Sequence, residues 1–184
     1  MEQAHHHLFE TTIGRCGVAW NGRGLCAVQL PEKDAAATGQ RLAKKAGGSS
    51  AAEPPPHMQA VIGDIQNYLG GAKVDFSTVA VDLSGIDDFR RRIYQALRGI
   101  GFGRTTTYGE LARSIGATDW EGARDVGLAM GSNRIPIVIP CHRVLAAGNK
   151  LGGFSAYGGT KTKEKLLALE GVRFDGEAPR LPGM

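Results

Sequence analysis

Met58, Val61, Ile62, Ile65, Tyr68 and Leu69 recur at helical spacing, and Gly70-Gly71 follows, so the pattern predicts an amphipathic helix that stops there. Before it, Ile13 to Trp20 and Leu25 to Leu30 are strand-like runs joined by the turn pair Asn21-Gly22, which makes the Phe9–Leu30 stretch a β-hairpin. After it, residues 76–83 return to a strand-like run. Residues 1–84 therefore read β-β-α-β. Between hairpin and helix, residues 32–56 change character. Gln40 to Lys45 has the makings of a short helix, and the rest, with Gly47-Gly48-Ser49-Ser50 and Pro54-Pro55-Pro56, reads as a flexible surface segment.

The second half is patterned mostly for helices. Ser84-Gly85 opens one, with Asp87 and Asp88 in its first turn and Ile86, Phe89, Ile93, Leu97 and Ile100 as its inner stripe. Arg90, Arg91 and Arg92 fan around its outer surface, which suits a solvated face better than a phosphate clamp. Thr107 is placed to cap a short helix from Tyr108 to Ile115, with Glu110 as its partner. A break at 116–120 leads to a further helix from Glu121 to Gly131, and two short helices with a glycine-containing break resemble a helix-turn-helix. Asn133 to Val144 reads as a buried extended run. A short hairpin turning at Gly148-Asn149 follows, and then the glycine-rich loop 151–159. A last helix starts at Thr160, with Lys161, Lys163 and Lys165 outward and Leu166, Leu167 and Leu169 inward, ending at Glu170-Gly171. The fold class is α+β: a small N-terminal α/β domain at 1–84 (β-hairpin, helix, strand), a mostly helical C-terminal domain at 85–174, and a frayed tail at 175–184. His5, His6 and His7 are read as part of a disordered end rather than a metal site.

Composition narrows the class. The 184 residues are 42% apolar and 22% charged, the balance of a globular chain with a real core. No run of eighteen apolar residues predicts a membrane span, and no charged-then-apolar leader opens the chain. Three cysteines, Cys16, Cys26 and Cys141, suit a reducing cytoplasm better than a disulfide framework. No CxxC pattern supports a zinc site at Cys16 and Cys26, so no structural zinc is expected. A net charge of +4 permits a polyanionic partner without requiring one.

The candidate chemistry lies at Cys141-His142-Arg143. A thiol beside an imidazole and a guanidinium is either a buried structural cysteine that happens to precede a histidine, or a nucleophile whose thiolate is favoured by positive neighbours. Ten residues earlier, Ala123, Gly127 and Gly131 stand at i, i+4 and i+8, with Arg124 beside them. Each interior glycine costs roughly 1 kcal/mol of helix propensity. The resulting smooth face suits the close approach of either a neighbouring helix or a DNA groove. The loop Leu151 to Gly159 lacks the order of a phosphate loop and is either a flap over a pocket or an ordinary surface loop.

Taken together, Tyr108-Gly-Glu-Leu-Ala, Ala123-Arg124 with Val126-Gly127, Asn133, Ile139-Pro-Cys-His-Arg-Val144, Gly152-Gly-Phe-Ser155 and Leu166-Leu-Ala-Leu-Glu-Gly171 resemble the O6-alkylguanine-DNA alkyltransferase family. The elements fall in family order over nearly all of residues 88–174, and residues 1–84 resemble its variable N-terminal domain. The resemblance implies DNA repair by stoichiometric transfer of an alkyl group from guanine O6 in duplex DNA to Cys141, with no cofactor. His142 would act as base through a bridging water and Glu170 would orient the imidazole. Tyr108 would donate toward guanine N3 or press on the flanking phosphate. Asn133 would tie the recognition helix to the active-site strand. Pro136, Val144, Gly152, Phe154 and Ser155 would form the base pocket. Arg124 would fill the gap left by the flipped base, and Ala123, Gly127, Gly131, Tyr108 and Thr107 would meet the minor groove. The implied partner is double-stranded DNA carrying O6-alkylguanine, bound by a monomer; repair of O4-alkylthymine is left open. The chain departs from the pattern at Gly101 and Arg134, where relatives often carry proline, and in a longer segment at Asp119-Trp120. The alternatives are a non-catalytic reader of alkylated bases, a helix-turn-helix regulator, and a Cys-His hydrolase.

Overall fold

The computed structural model describes residues 3–118 and 121–175. The expected hairpin is two strands of a four-stranded sheet: β1 (Ala4–Thr11), β2 (Gly14–Asn21), β3 (Gly24–Gln29) and β4 (Ser49–Ala51), in the order β3-β2-β1-β4. The three histidines expected in a disordered end are residues of β1. His5 faces Trp20 across the antiparallel pair, and the imidazoles of His5 and His6 hydrogen-bond the Ser50 and Ser49 hydroxyls of the parallel neighbour β4 at 3.2 and 2.9 Å.

The segment 32–56 is also more ordered than its composition suggests. It forms α1 (Ala35–Lys45), whose first turn is capped by the Asp34 carboxylate accepting from the Ala37 N–H at 2.7 Å, and then β4. Leu42 is fully buried, packed with Ala19 and Ala27 on the outer face of the sheet. The opposite face of the sheet receives α2 (Pro56–Leu69) through the apolar positions read from the sequence.

Residues 76–83 do not form the expected strand. Val81 makes one isolated bridge to Leu25, while the carbonyls of Phe76, Ser77 and Val79 accept from Arg98 Nη2 at 3.2, 2.7 and 2.6 Å. A backbone whose carbonyls converge on one guanidinium is curled, so it cannot present a ladder.

The second half holds α3 (Asp88–Arg98), α4 (Tyr108–Ser114), α5 (Gly122–Gly131) and α6 (Thr160–Leu169), with a two-residue parallel pair of β5 (Thr106–Thr107) and β6 (Val144–Leu145). Asp87, rather than Ser84, caps α3, and Tyr94 is buried beside Ile93 and Leu97, its hydroxyl donating to the Ala129 carbonyl of α5 at 2.9 Å. The capping box of Thr107 and Glu110 is formed as read. The predicted hairpin at Gly148-Asn149 is an isolated bridge, Ala146 to Lys150. One continuous apolar cluster, from Trp20 and Val28 through Ile65 and Tyr68 to Leu97, Val126, Ile139 and Leu166, joins the two halves. The tail expected to fray beyond Asp175 and the Asp119-Trp120 pair lie outside the described residues.

Candidate active site

The run before Cys141 is coiled where an extended strand was expected. Asn133 organises the coil: its Oδ1 accepts from the Ile135 N–H at 2.9 Å and its Nδ2 donates to the Ile139 carbonyl at 2.9 Å. Ile139 N–H closes onto the Ile135 carbonyl, Cys141 N–H onto the Ile139 carbonyl at 2.8 Å, and Ile137 is held at φ +73°. A β-branched residue in the left-handed region is costly, and full burial of Ile135, Ile137, Val138 and Ile139 holds it there. The coil then delivers Cys141, His142 and Arg143 on a single 3-10 turn.

The three side chains of that turn point to different partners. Cys141 is 6% exposed and its Sγ accepts from Asn133 Nδ2 at 3.2 Å. His142 is fully buried, with Nε2 at 2.7 Å from Glu170 Oε1. Arg143 donates from Nε to Glu170 Oε2 at 2.9 Å and from Nη2 to Oε1 at 3.0 Å, and also reaches the Ile100 carbonyl. The Gly103 N–H adds a bond to Glu170 Oε2 at 2.9 Å. Burial alone would raise the Glu170 carboxyl, but hydrogen bonds from His142 and Arg143 outweigh it and bring the pKa down to about 2.

The positive charges that act on the thiol are therefore not the ones adjacent to it in sequence. The Arg143 guanidinium is spent on Glu170 and the imidazole is kept neutral by burial against the pull of Glu170. Burial therefore pushes the Cys141 thiol above its ordinary range, opposed by the Asn133 hydrogen bond and by the ammonium groups of Lys163 and Lys45. Because a carboxylate only accepts, the neutral imidazole carries its proton on Nε2, which leaves Nδ1 with the lone pair. Nδ1 is buried without a hydrogen-bond partner among the described residues.

Two participants were not assigned a role from the sequence. Tyr68 of α2 is fully buried, its hydroxyl donating to Glu170 Oε1 at 2.7 Å and lying 3.1 Å from His142 Nε2. Burial, then the Glu170 charge, keep that phenol protonated. Lys163, expected to face outward, is fully buried, and its Nζ donates to the Val144 carbonyl at 2.5 Å and the Gly153 carbonyl at 3.3 Å. Burial lowers its pKa to about 8. The spacing held the signal: Lys163, Leu166, Leu167 and Glu170 are i, i+3, i+4 and i+7, one face of a helix. For Tyr68, the signal was a phenol on an inner stripe, which needs a partner when buried.

A cavity of about 250 Å³ opens over Cys141, lined by Tyr108, Gly127, Met130, Gly131, Phe154 and Ser155 among others. The Tyr108 ring stands 3.3 Å from where a Cβ on Gly152 would sit and 3.9 Å from one on Gly127, with Lys163 Nζ 5.9 Å from its centroid. Gly152, at φ +70°, is thus required for the ring's position. Burial raises the Tyr108 phenol too. Pro136 lines a smaller neighbouring cavity that also reaches Cys141, and the Val144 carbonyl is already engaged by Lys163. On α5, Ala123, Arg124 and Gly131 are exposed and Gly127 is half-buried, so the small-residue ridge does not serve to pack a neighbouring helix. It borders the cavity mouth, with Arg124 beyond it, 3.9 Å from Glu121 and largely exposed. Thr107 lies at the end of β5, its hydroxyl accepting from the Glu110 N–H at 3.2 Å. Among the described residues, no group of three or more His, Cys, Asp or Glu side chains is arranged to hold a metal ion.

Residues 4–83 match the model described as 6-O-methylguanine DNA methyltransferase, ribonuclease-like domain, and residues 88–172 match that of the DNA binding domain of the same proteins. The methylated-DNA–protein-cysteine methyltransferase of Mycobacterium tuberculosis H37Rv is 35% identical over 169 residues, covering 92% of this chain and 93% of that one. The protein of the same name from Methanothermobacter thermautotrophicus is 33% identical over 161 residues, covering 88% and 82%. Among solved structures, M. tuberculosis OGT in complex with DNA superposes with a TM-score of 0.71 at 33% identity, covering 90% of this chain and 92% of that one. The O6-methylguanine-DNA methyltransferase of Pyrococcus kodakaraensis gives 0.69 at 25% identity, covering 92% and 100%.

Proposed function

The chain belongs to the 6-O-methylguanine DNA methyltransferase family, and on that footing we propose that it repairs duplex DNA by moving an alkyl group from guanine O6 onto Cys141. The observation that carries the reading is the cavity that joins Cys141 to the open face of α5.

In this reading the thiol proton passes through a bridging water to His142 Nδ1, the imidazole nitrogen free to take it. The Glu170 carboxylate, held ionised by Arg143, Tyr68 and Gly103, balances the imidazolium that forms. The thiolate, steadied by Asn133, attacks the alkyl carbon. The carbon–O6 bond breaks and its electron pair stays with the guanine. Tyr108, kept protonated by burial, donates a hydrogen bond toward N3 that stabilises the negative charge on the leaving guanine, and the guanine finally takes up the proton held by His142, delivered through water. The displacement balances without a cofactor. The product is a thioether, which water does not hydrolyse, so each chain acts once.

The base reaches Cys141 by leaving the duplex. The α4–α5 pair acts as the helix-turn-helix, α5 lies in the minor groove through Ala123, Gly127 and Gly131, and Arg124 fills the vacated stack. Thr107 and Tyr108 meet the backbone at the start of α4. Pro136, Val144, Gly152, Phe154 and Ser155 shape the base pocket. The protein acts as a monomer in the cytoplasm, a compartment that three unpaired thiols suit. A non-catalytic reader or a regulator would leave the Asn133–Cys141–His142–Glu170 set without a task.

Intact mass and peptide mapping after mixing with duplex DNA bearing one O6-methylguanine tests the reading. One methyl is expected on the Cys141 peptide, saturating at one per chain and absent in Cys141→Ala. Lesion binding with no mass gain would leave a damage reader, and the absence of both binding and mass gain would remove the alkyltransferase reading.

A further inference from the structure

Lys45 lies at the end of α1, in the N-terminal half, and it is part of the wall around the nucleophile. A cavity of about 80 Å³ that reaches Cys141 is lined by Gln29, Arg41 and Lys45 from that half and by Asn133, Pro136 and Cys141, among others, from the other half, and it shares Gly131, Phe154 and Ser155 with the larger cavity. The Lys45 ammonium donates to the Val28 carbonyl at 3.1 Å and has no carboxylate within ion-pair distance among the described pairs. Arg41, one turn earlier, is neutralised by Glu32 at 3.2 Å. Burial brings the Lys45 pKa down to about 8, against the opposing influence of Cys141 and Glu32, so the group is mostly protonated at neutral pH.

The position is fixed by a closed set of bonds. Val28 N–H donates to the Arg134 carbonyl at 2.8 Å, Lys45 Nζ donates to the Val28 carbonyl, and Arg134 Nη1 reaches the Lys45 carbonyl at 3.5 Å. Arg134 adjoins Asn133, whose amide holds the sulfur. The end of α1, strand β3 and the residue pair that positions Cys141 are therefore mechanically one piece.

We propose that Lys45 is a positioning residue for the reaction: its ammonium, carried in by α1, stabilises the Cys141 thiolate together with that of Lys163. This deepens the alkyltransferase reading and gives the segment between β3 and α2 a task at the acceptor. The charged and titratable groups that act on the thiol or feel its charge are Lys163 of α6, Lys45, Tyr108 of α4 and Tyr94 of α3; those around Lys45 are Arg41, Glu32 and Arg134. Of these, Lys45 and Lys163 are the cations acting on the sulfur whose charge is not spent on a carboxylate.

The test compares wild type, Lys45→Met and Lys45→Arg. It measures the pH dependence of Cys141 carbamidomethylation by iodoacetamide, read by peptide mass, which needs neither DNA nor the alkyltransferase reaction. Lys45→Met should shift the apparent thiol pKa up by about one unit, slowing modification about tenfold at pH 7, with rates converging above the thiol pKa. Lys45→Arg should restore most of the loss. Thermal midpoints and far-UV spectra of the three proteins separate this from unfolding. Superimposable profiles for wild type and Lys45→Met would overturn the proposal, as would a slowing that persists undiminished at high pH. Methyl transfer from duplex O6-methylguanine, run in parallel on wild type, tests the underlying reading separately: its failure with a shifted iodoacetamide profile removes the substrate and keeps the electrostatic role.

Discussion

Removing one oxygen atom, by Tyr68→Phe, probes the support of Glu170. The ring stays packed edge-on against Phe76 and Phe102 at centroid distances of 5.8 and 6.2 Å, so the apolar contacts persist and the 2.7 Å bond to Glu170 Oε1 is lost together with the 3.1 Å contact to His142 Nε2. That oxygen retains Arg143 Nε and Nη2 at 3.1 and 3.0 Å and His142 Nε2 at 2.7 Å. A hydrogen bond to a charged group is worth about 1.5–3 kcal/mol net, and the void is smaller than a methyl group, so a stability loss of about 2 kcal/mol is expected. For a chain of this size that is a fall in Tm of about 4–8 °C. Urea unfolding should show a lower midpoint with an unchanged slope. Because the His142–Glu170 pair survives, alkylation by free O6-benzylguanine should stay within about threefold of wild type, by the logic that only bonds to the reacting atoms set the barrier. A stability loss below about 0.5 kcal/mol would refute the claim that the phenol supports the carboxylate, given its usual worth. An unfolding curve like wild type with a hundredfold or greater loss of rate would make Tyr68 part of the proton path instead.

Arg124→Ala should slow methyl transfer from duplex DNA by about 10–100-fold, the cost of an unfilled stack, while leaving reaction with free O6-benzylguanine unchanged; equal loss on both substrates would contradict its placement. Acid should destabilise the fold in two stages. His142 is held neutral with a lowered pKa, so the unfolded chain takes up a proton first and stability falls below about pH 6.5. Glu170, depressed to about 2, contributes about 3 kcal/mol that is present above the unfolded carboxyl pKa near 4.5 and is lost as pH falls toward 2. Circular dichroism at fixed urea should show both stages, and a flat profile from pH 7 to 4 would disprove the first.

Local signals in the sequence anticipated local structure well. The Asn21-Gly22 turn, the α2 stripe and the Thr107–Glu110 box all depend on residues within a few positions of one another. The misreadings occurred where distant groups decide. Residues 76–83 look like a strand until Arg98 collects their carbonyls, and His5 to His7 look like a loose end until β2 and β4 flank them. Asn133 turns an apparently extended run into a coil through two bonds that its own sequence does not announce. Cys141, His142 and Glu170 were legible as a resemblance; the structure adds the His142–Glu170 and Asn133–Cys141 hydrogen bonds. The thiol's electrostatics were not, because adjacency in sequence put Arg143 beside Cys141 while the fold gave its charge to Glu170.

The exposed stretch at Ser84 and Gly85 separates the half that carries Lys45 and Tyr68 from the half that carries Cys141, His142 and Glu170. The two halves meet through one continuous apolar cluster, the Tyr68–Glu170 bond, the Val28–Arg134–Lys45 set and the carbonyls of 76–79 gathered by Arg98. Opened at that joint, the protein becomes a pair of complementary fragments. Neither has a complete acceptor environment, and covalent labelling of the thiol would record, permanently and once per pair, that they had found each other.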